Sequence, residues 1–248
     1  ISWSTAKETI PKDIQTVDVV PAVGKKLPLD TVFTDSQGKK VPLSDYMQNG
    51  IPTILNLVYY RCPMLCHLLL DGLVEGLQNL SMKPGKDFQI ITISFDPSDT
   101  FRMAANFKKK YLMKLMPKNY NTAWHFLVGN SNAIDAITQS VGFSYKYIDK
   151  TKDFAHLPVL IMLSSDSSIS QYLHGINFDA NTLRLAILEN SDKKQISTID
   201  RLRMFCYYYD SESRTYTLYI MNILRALSLL LLVIMVIGFI YLKRKEKV

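Results

Sequence analysis

Between residues 52 and 190 the chain alternates unbroken apolar runs with longer stretches where apolar residues return every three or four positions. "PTILNLVYY", "FQIITISF" and "HLPVLIML" are nearly continuous, the pattern of central strands buried on both faces. In "CHLLLDGLVEGLQNL", Leu68, Leu69, Leu73 and Leu77 fall at helical spacing. The second apolar run stops at "DPSDT", where Pro97 breaks the strand and Ser98 or Asp99 is expected to cap a helix over "FRMAANFKKKYLMKL". "WHFLVG" and "GFSYKYI" predict short strands around the helical "SNAIDAITQSV", and "VFTDSQGKKVPL" predicts a strand pair turning at Ser36–Gly38. "SSDSS" separates "HLPVLIML" from its partner "ISQYLHGI", and "DANTLRLAILENS" predicts a last, capped helix. This order of elements is that of an α/β fold with a mixed sheet. Residues 1–22 show no periodicity and predict an extended arm ahead of a domain over 23–190.

The pattern changes near the end of the chain. "LRMFCYYY", the turn-like "DSESR" and "TYTLYI" predict a β-hairpin extension within residues 191–221. "ALSLLLLVIMVIGFIYL" then carries no charge over 226–242. Extended back to Asn222 it reaches about 20 residues, enough for one transmembrane helix, with Arg225 snorkelling at its edge. The basic "KRKEKV" over 243–248 predicts a cytoplasmic tail and an outer domain beyond a bacterial inner membrane. Since Ile1 is not Met, a cleaved signal peptide is expected to precede the chain.

Composition alters this picture little. The formal net charge is +7, from 29 basic and 22 acidic residues. The terminal segment alone holds Arg225, Lys243, Arg244, Lys245, Lys247 and Glu246, which leaves the rest a net +3. No nucleic-acid partner is expected, and the run Lys108–Lys110 reads as a solvated helix face. No phosphate loop or nucleophile elbow is present.

Three cysteines are too few for a disulfide scaffold. Two of them, Cys62 and Cys66, stand where a central strand gives way to a helix, the place where α/β sheets gather ligands. A spacing of four suits a disulfide, a shared metal ion or a reactive dithiol. The helix N-terminus and the adjacent Arg61 are expected to favour a Cys62 thiolate, and Pro63 suits a first helical turn. Two thiolates can hold Cu(I), and a site that also accepts Cu(II) wants an imidazole. The candidates are His67, His125, His156 and His174; His156, in a loop just ahead of a strand, has a modest lead. Cys206, inside the hairpin segment, reads as a small buried hydrophobe.

"LVYYRCPMLCHLLLDGL", "QIITISFDPSDT", "WHFLVG" and the strand introduced by His156 together resemble the Sco/SenC family, over roughly Val23 to Glu189. These are thioredoxin-fold, membrane-tethered proteins of cytochrome c oxidase assembly. The resemblance implies copper ligation by Cys62, Cys66 and His156, with Asp96 in a supporting role. It implies as partner the Cu(A) domain of oxidase subunit II, or another respiratory complex. The same pair could instead act as a thiol-disulfide oxidoreductase, Cys62 attacking and Cys66 resolving, or the chain could be an accessory subunit. Three positions depart from the family pattern. His67 replaces a common proline, Ala155 replaces a common aspartate, and Pro158 follows the histidine by two. A cis Leu157–Pro158 bond would pin that loop and aim His156 at the sulfurs.

Overall fold

The three unbroken apolar runs form the middle of one sheet. The strands, in chain order, are β1 (Val32–Asp35), β2 (Lys40–Pro42), β3 (Thr53–Val58), β4 (Gln89–Ser94), β5 (Trp124–Val128), β6 (Lys146–Ile148), β7 (Asp153–Ala155), β8 (Val159–Leu163) and β9 (Ile169–His174). The helices are α1 (Leu65–Asn79), α2 (Phe101–Lys114), α3 (Ser131–Ser140) and α4 (Ala180–Glu189). The computed structural model describes residues 17–47, 50–191, 207–210, 215–218 and 220–245. Most of the predicted arm, Cys206 and the last three residues of the tail lie outside them.

Seven strands run in the order β2-β1-β5-β4-β3-β8-β9. β3, β4 and β5 are parallel neighbours, while β1 and β8 join antiparallel, so the sheet is mixed as predicted. Every residue of β3, β4 and β8 is buried. That burial explains why their sequences lack the alternation of half-exposed strands. Trp124, fully buried, donates its indole N–H to Thr92 Oγ1 at 2.8 Å. β6 and β7 form a separate two-stranded hairpin.

Helix α1, which carries Cys66, is held along its length and at its end. Gly72 and Gly76 face the chain entering α4; a Cβ at Gly72 would overlap the Ile176 carbonyl oxygen, and one at Gly76 the Phe178 carbonyl oxygen. At its C-terminus the ammonium of Lys118 donates to the carbonyls of Leu77, Gln78 and Leu80 at 3.0, 2.6 and 2.8 Å, satisfying groups a helix end leaves open. Asp179 caps α4, accepting from Asn181 and Thr182 N–H, and Asn130 caps α3.

Several expectations are corrected. Neither Ser98 nor Asp99 caps α2: Thr100 stands at that position with no side-chain bond, because Asp99 turns inward. Pro63 lies ahead of α1, which starts at Leu65. Leu157–Pro158 is not cis; among the described residues the cis bond is Met116–Pro117.

The second unit, residues 196–248, contains β10 (Tyr207–Asp210) paired antiparallel with β11 (Thr215–Leu218), the hairpin that the turn-like segment predicts. It also contains α5 (Ile220–Lys245). The transmembrane helix expected at 222–242 is corrected: among the described residues no helix is long and apolar enough to cross a membrane.

Candidate metal centre

β3 ends at Val58, and the chain turns through Tyr59–Met64 before α1 begins. β8 lies antiparallel beside β3 with Asn56 opposite Leu160. Continuing that register brings position 156 opposite position 60, at the mouth of the cysteine turn. Histidine and cysteines therefore meet although 90 residues separate Cys66 from His156. The ligand atoms of Cys62, Cys66 and His156 all lie within 4.8 Å of one another. Cys66 Sγ is 3.4 Å from His156 Nε2, and all three residues are buried. Both thiols are free.

The two sulfurs sit in different surroundings. Cys62 Sγ accepts the N–H of Cys66 at 3.2 Å. Its pKa falls to about 3, chiefly through a hydrogen bond with the Cys66 thiol. Burial opposes the shift, while the N–H groups of Cys66 and Met64 add to it. Cys66 Sγ takes the Tyr59 N–H at 3.5 Å, but burial and the Cys62 charge hold its pKa far above that of a free thiol. The pair is thus one thiolate and one thiol. Metal binding must displace the Cys66 proton.

Arg61 is not the source of the Cys62 shift. Its guanidinium turns away to Asp96 Oδ2 at 2.5 Å and Asp99 Oδ1 at 3.4 Å, and it also bonds Ser98 Oγ. Asp96 accepts from Ser98 and Arg61, which hold its carboxyl below the usual range although burial opposes them. Sequence reasoning missed Asp99 as part of the site's support. Its side chain is fully buried; Oδ2 accepts from Tyr60 N–H and Ser94 Oγ, both at 2.6 Å, while Oδ1 takes no hydrogen bond. Asp99 therefore pins the backbone immediately before Arg61 and Cys62. The second acid of "DPSDT" is the signal that could have marked it.

His156 is enclosed by rings: Phe95, Tyr59 and Phe143 lie 5.2, 6.0 and 6.0 Å away between centroids. Its Nδ1 faces the Leu157 carbonyl at 3.3 Å. A carbonyl only accepts, so Nδ1 carries the proton and Nε2 is turned to the sulfurs. This backbone oxygen stands where an acid before the histidine is lacking, Ala155 being unable to supply one. Pro158 follows in a trans loop leading into β8.

The other histidines are elsewhere. His67 Nδ1 is 2.9 Å from Tyr111 Oη and its ring stacks on Phe107. His125 lies against Tyr46, with burial lowering its pKa to about 4. His174 is in β9, near Tyr172.

The asymmetry of the pair has a measurable consequence. Below a free thiol's pKa of about 8.5 the unfolded chain protonates Cys62 while the native chain does not. The stabilisation from the native thiolate is therefore complete above that pH and is lost as pH falls toward about 3. Thiolate ultraviolet absorbance of the reduced full chain, less that of Cys62→Ser, should be present at about pH 5 and level to about pH 8. A signal that rises only above about pH 8 would show that Cys62 is an ordinary thiol.

The sequence model of the family described as SCO1/SenC matches residues 25–188. No curated protein sequence matches the chain. Among solved structures, a protein of Aquifex aeolicus VF5 aligns at 28% identity with a TM-score of 0.58, covering 66% of this chain and 92% of its own. A SCO1/SenC family lipoprotein of Bacillus anthracis is 15% identical, with a TM-score of 0.54 and coverage of 68% and 96%. Arabidopsis thaliana ScoI, solved with copper bound, is 20% identical, with a TM-score of 0.50 and coverage of 68% and 97%. The last two speak for the fold. The family match spans well over half of the chain, and with the thioredoxin-like sheet it establishes that this chain belongs to the SCO1/SenC family.

Proposed function

We propose that Cys62, Cys66 and His156 bind one copper ion, and that the protein passes it to the Cu(A) site of cytochrome c oxidase subunit II. The observation that carries this reading is the buried meeting of two sulfurs and an imidazole within 4.8 Å. Soft sulfur suits Cu(I), and the added nitrogen lets the same site accept Cu(II). Hard, oxygen-seeking ions find no carboxylate in this cluster. Family membership supports copper as the cargo and oxidase assembly as the setting, outside the cytoplasm.

A second reading rests on the unequal pair. Cys62 thiolate would attack a disulfide in the Cu(A) domain, forming a mixed disulfide and releasing one thiolate of that domain. Cys66, after losing its proton, would displace the second, leaving Cys62–Cys66 oxidised and the target reduced.

Mixing the copper-loaded full chain with reduced, metal-free Cu(A) domain separates the two. Copper should leave the chain and be recovered with the domain. Retention of copper on the chain, together with reduction of a disulfide-containing domain by the metal-free chain, would overturn delivery in favour of thiol exchange.

A further inference from the structure

Away from the metal centre, a groove of about 530 Å³ lies between the turn joining β1 to β2, the C-terminal half of α2 and the loop from α2 to β5. None of Cys62, Cys66 and His156 lines it. Met113, in its wall, stands about 18 Å along α2 from Phe101, the helix end next to Asp99. Leu112, Met113 and Met116 make that wall apolar. Met113 and Met116 are 57% and 74% exposed, so both thioethers are open to a ligand. Three ammonium groups, those of Lys108, Lys109 and Lys118, share the groove, and no carboxylate lines it among the described residues. The run Lys108–Lys110 is thus not wholly a solvated face. Lys108 donates to the Asn121 carbonyl at 2.9 Å, and Lys118 to the three carbonyls at the end of α1. Their charges are held in place but not neutralised. Lys109 has no ion-pair or hydrogen-bond partner among the described residues. Lys114, on the same helix, shows the contrast, with Asp71 at 2.5 Å. Asp35, whose charge reaches Lys108, accepts the N–H groups of Gln37 and Lys39 instead.

We propose that this groove is the docking site for an acidic segment of a partner protein, one whose carboxylates flank an apolar side chain. Charge complementarity carries the choice. Three cations gathered without a counter-charge repel one another, and incoming carboxylates relieve that repulsion. Lys108 and Lys118 are already fixed by backbone carbonyls, so little side-chain freedom is lost when the acids arrive. The apolar wall disfavours a small inorganic anion, which would leave Leu112 and both thioethers in water. The concavity disfavours a bilayer, whose flat surface cannot follow the wall inward. Methionine has three rotatable bonds and adapts to whichever apolar side chain enters. Because the groove lies at the far end of α2 from the metal centre, a partner held here leaves the cysteine turn uncovered. The inference is independent of the copper reading.

The test follows fluorescence anisotropy of a labelled peptide, built of Glu and Asp around two Leu, as the full chain is added. A twin peptide carries Gln and Asn in place of the acids. The acidic peptide should bind one-to-one, weakening as salt is added, and the twin should bind at least about tenfold more weakly. Lys109→Glu should weaken the acidic peptide about tenfold, as for a rim charge turned from attraction to repulsion. Met116→Ser should weaken it about threefold through lost apolar contact. Lys150→Glu makes the same charge change in the exposed turn between β6 and β7, and should leave binding within about twofold of the parent. Equal binding of the two peptides, or binding of neither, overturns the proposal. Equal losses in Lys109→Glu and Lys150→Glu also overturn it, because net charge rather than the groove would then be responsible. A Met116→Ser chain that binds like the parent does the same. If vesicles of phosphatidylglycerol and phosphatidylcholine bind the parent, displace the peptide and fail to bind Lys109→Glu, the groove meets lipid and the protein-segment assignment falls.

Discussion

Replacing His156 with alanine is expected to lower copper affinity about a hundredfold or more. Loss of a mere outer partner of a ligand costs roughly ten- to a hundredfold, and here the only nitrogen of a three-atom donor set goes. What remains is a pair of sulfurs, adequate for Cu(I) and poor for Cu(II), so the deficit should be largest for the oxidised metal. Alanine also empties a space lined by Phe95, Tyr59 and Phe143. A stability loss of about 2–4 kcal/mol should accompany it, as for other large-to-small changes in cores. His156→Phe keeps a ring among rings but has no nitrogen. It should lose copper equally while unfolding closer to the parent's temperature. Equilibrium competition with a chelator of known affinity, run beside thermal melts, reads both quantities. Copper affinity retained in His156→Phe would show that the imidazole is not a ligand.

Gly72→Ala should be among the most damaging single changes in the protein, without touching the site. The added Cβ would occupy the position of the Ile176 carbonyl oxygen, which belongs to backbone and cannot rotate away. Either α1 or the segment leading into α4 must move, and four residues later Gly76 faces the Phe178 carbonyl in the same way. In an exposed helix this substitution would add up to about 1 kcal/mol of helix propensity. Here overlap outweighs it, and a net loss of more than about 3 kcal/mol is expected. Urea unfolding measures it; a variant as stable as the parent would mean that α1 and the chain before α4 do not approach so closely. Because Cys66 lies nearly two turns back along α1, a folded Gly72→Ala chain should also bind copper less tightly.

Much of the core is legible in the sequence because the relevant signal is local. Strands buried on both faces have to be apolar throughout, and β3, β4 and β8 are. The cysteine pair declares itself by its place at the end of β3. His156 does not: its approach depends on the pairing of β8 with β3, which no short window of sequence contains. The resemblance to Sco/SenC proteins, not the residue pattern, puts it beside the cysteines. Arg61 misleads because adjacency in sequence is not adjacency of charge. The chain alternates direction there, sending the guanidinium to Asp96 and Asp99 while Cys62 Sγ points inward. Asp99 resembles a helix cap because acids before a helix usually are caps. The buried N–H of Tyr60 is a stronger claim on it, since water cannot satisfy that group. The glycines of "DGLVEGL" interrupt a leucine pattern, and their spacing of four marks one helix face on which another backbone rests. The apolar terminal stretch suggests a membrane span by length and composition alone, yet among the described residues no helix is long and apolar enough to cross a membrane.

Two sulfurs and one nitrogen of this chain are assigned to a single copper ion, and X-ray absorption on the full chain loaded with one equivalent of Cu(I) tests that assignment. The expected nearest shell holds two sulfurs from Cys62 and Cys66 and one imidazole nitrogen, and the nitrogen disappears in His156→Phe. A shell of sulfur alone in the parent, or a nitrogen that persists in the variant, would contradict the assignment of His156 and return the site to a simple dithiol.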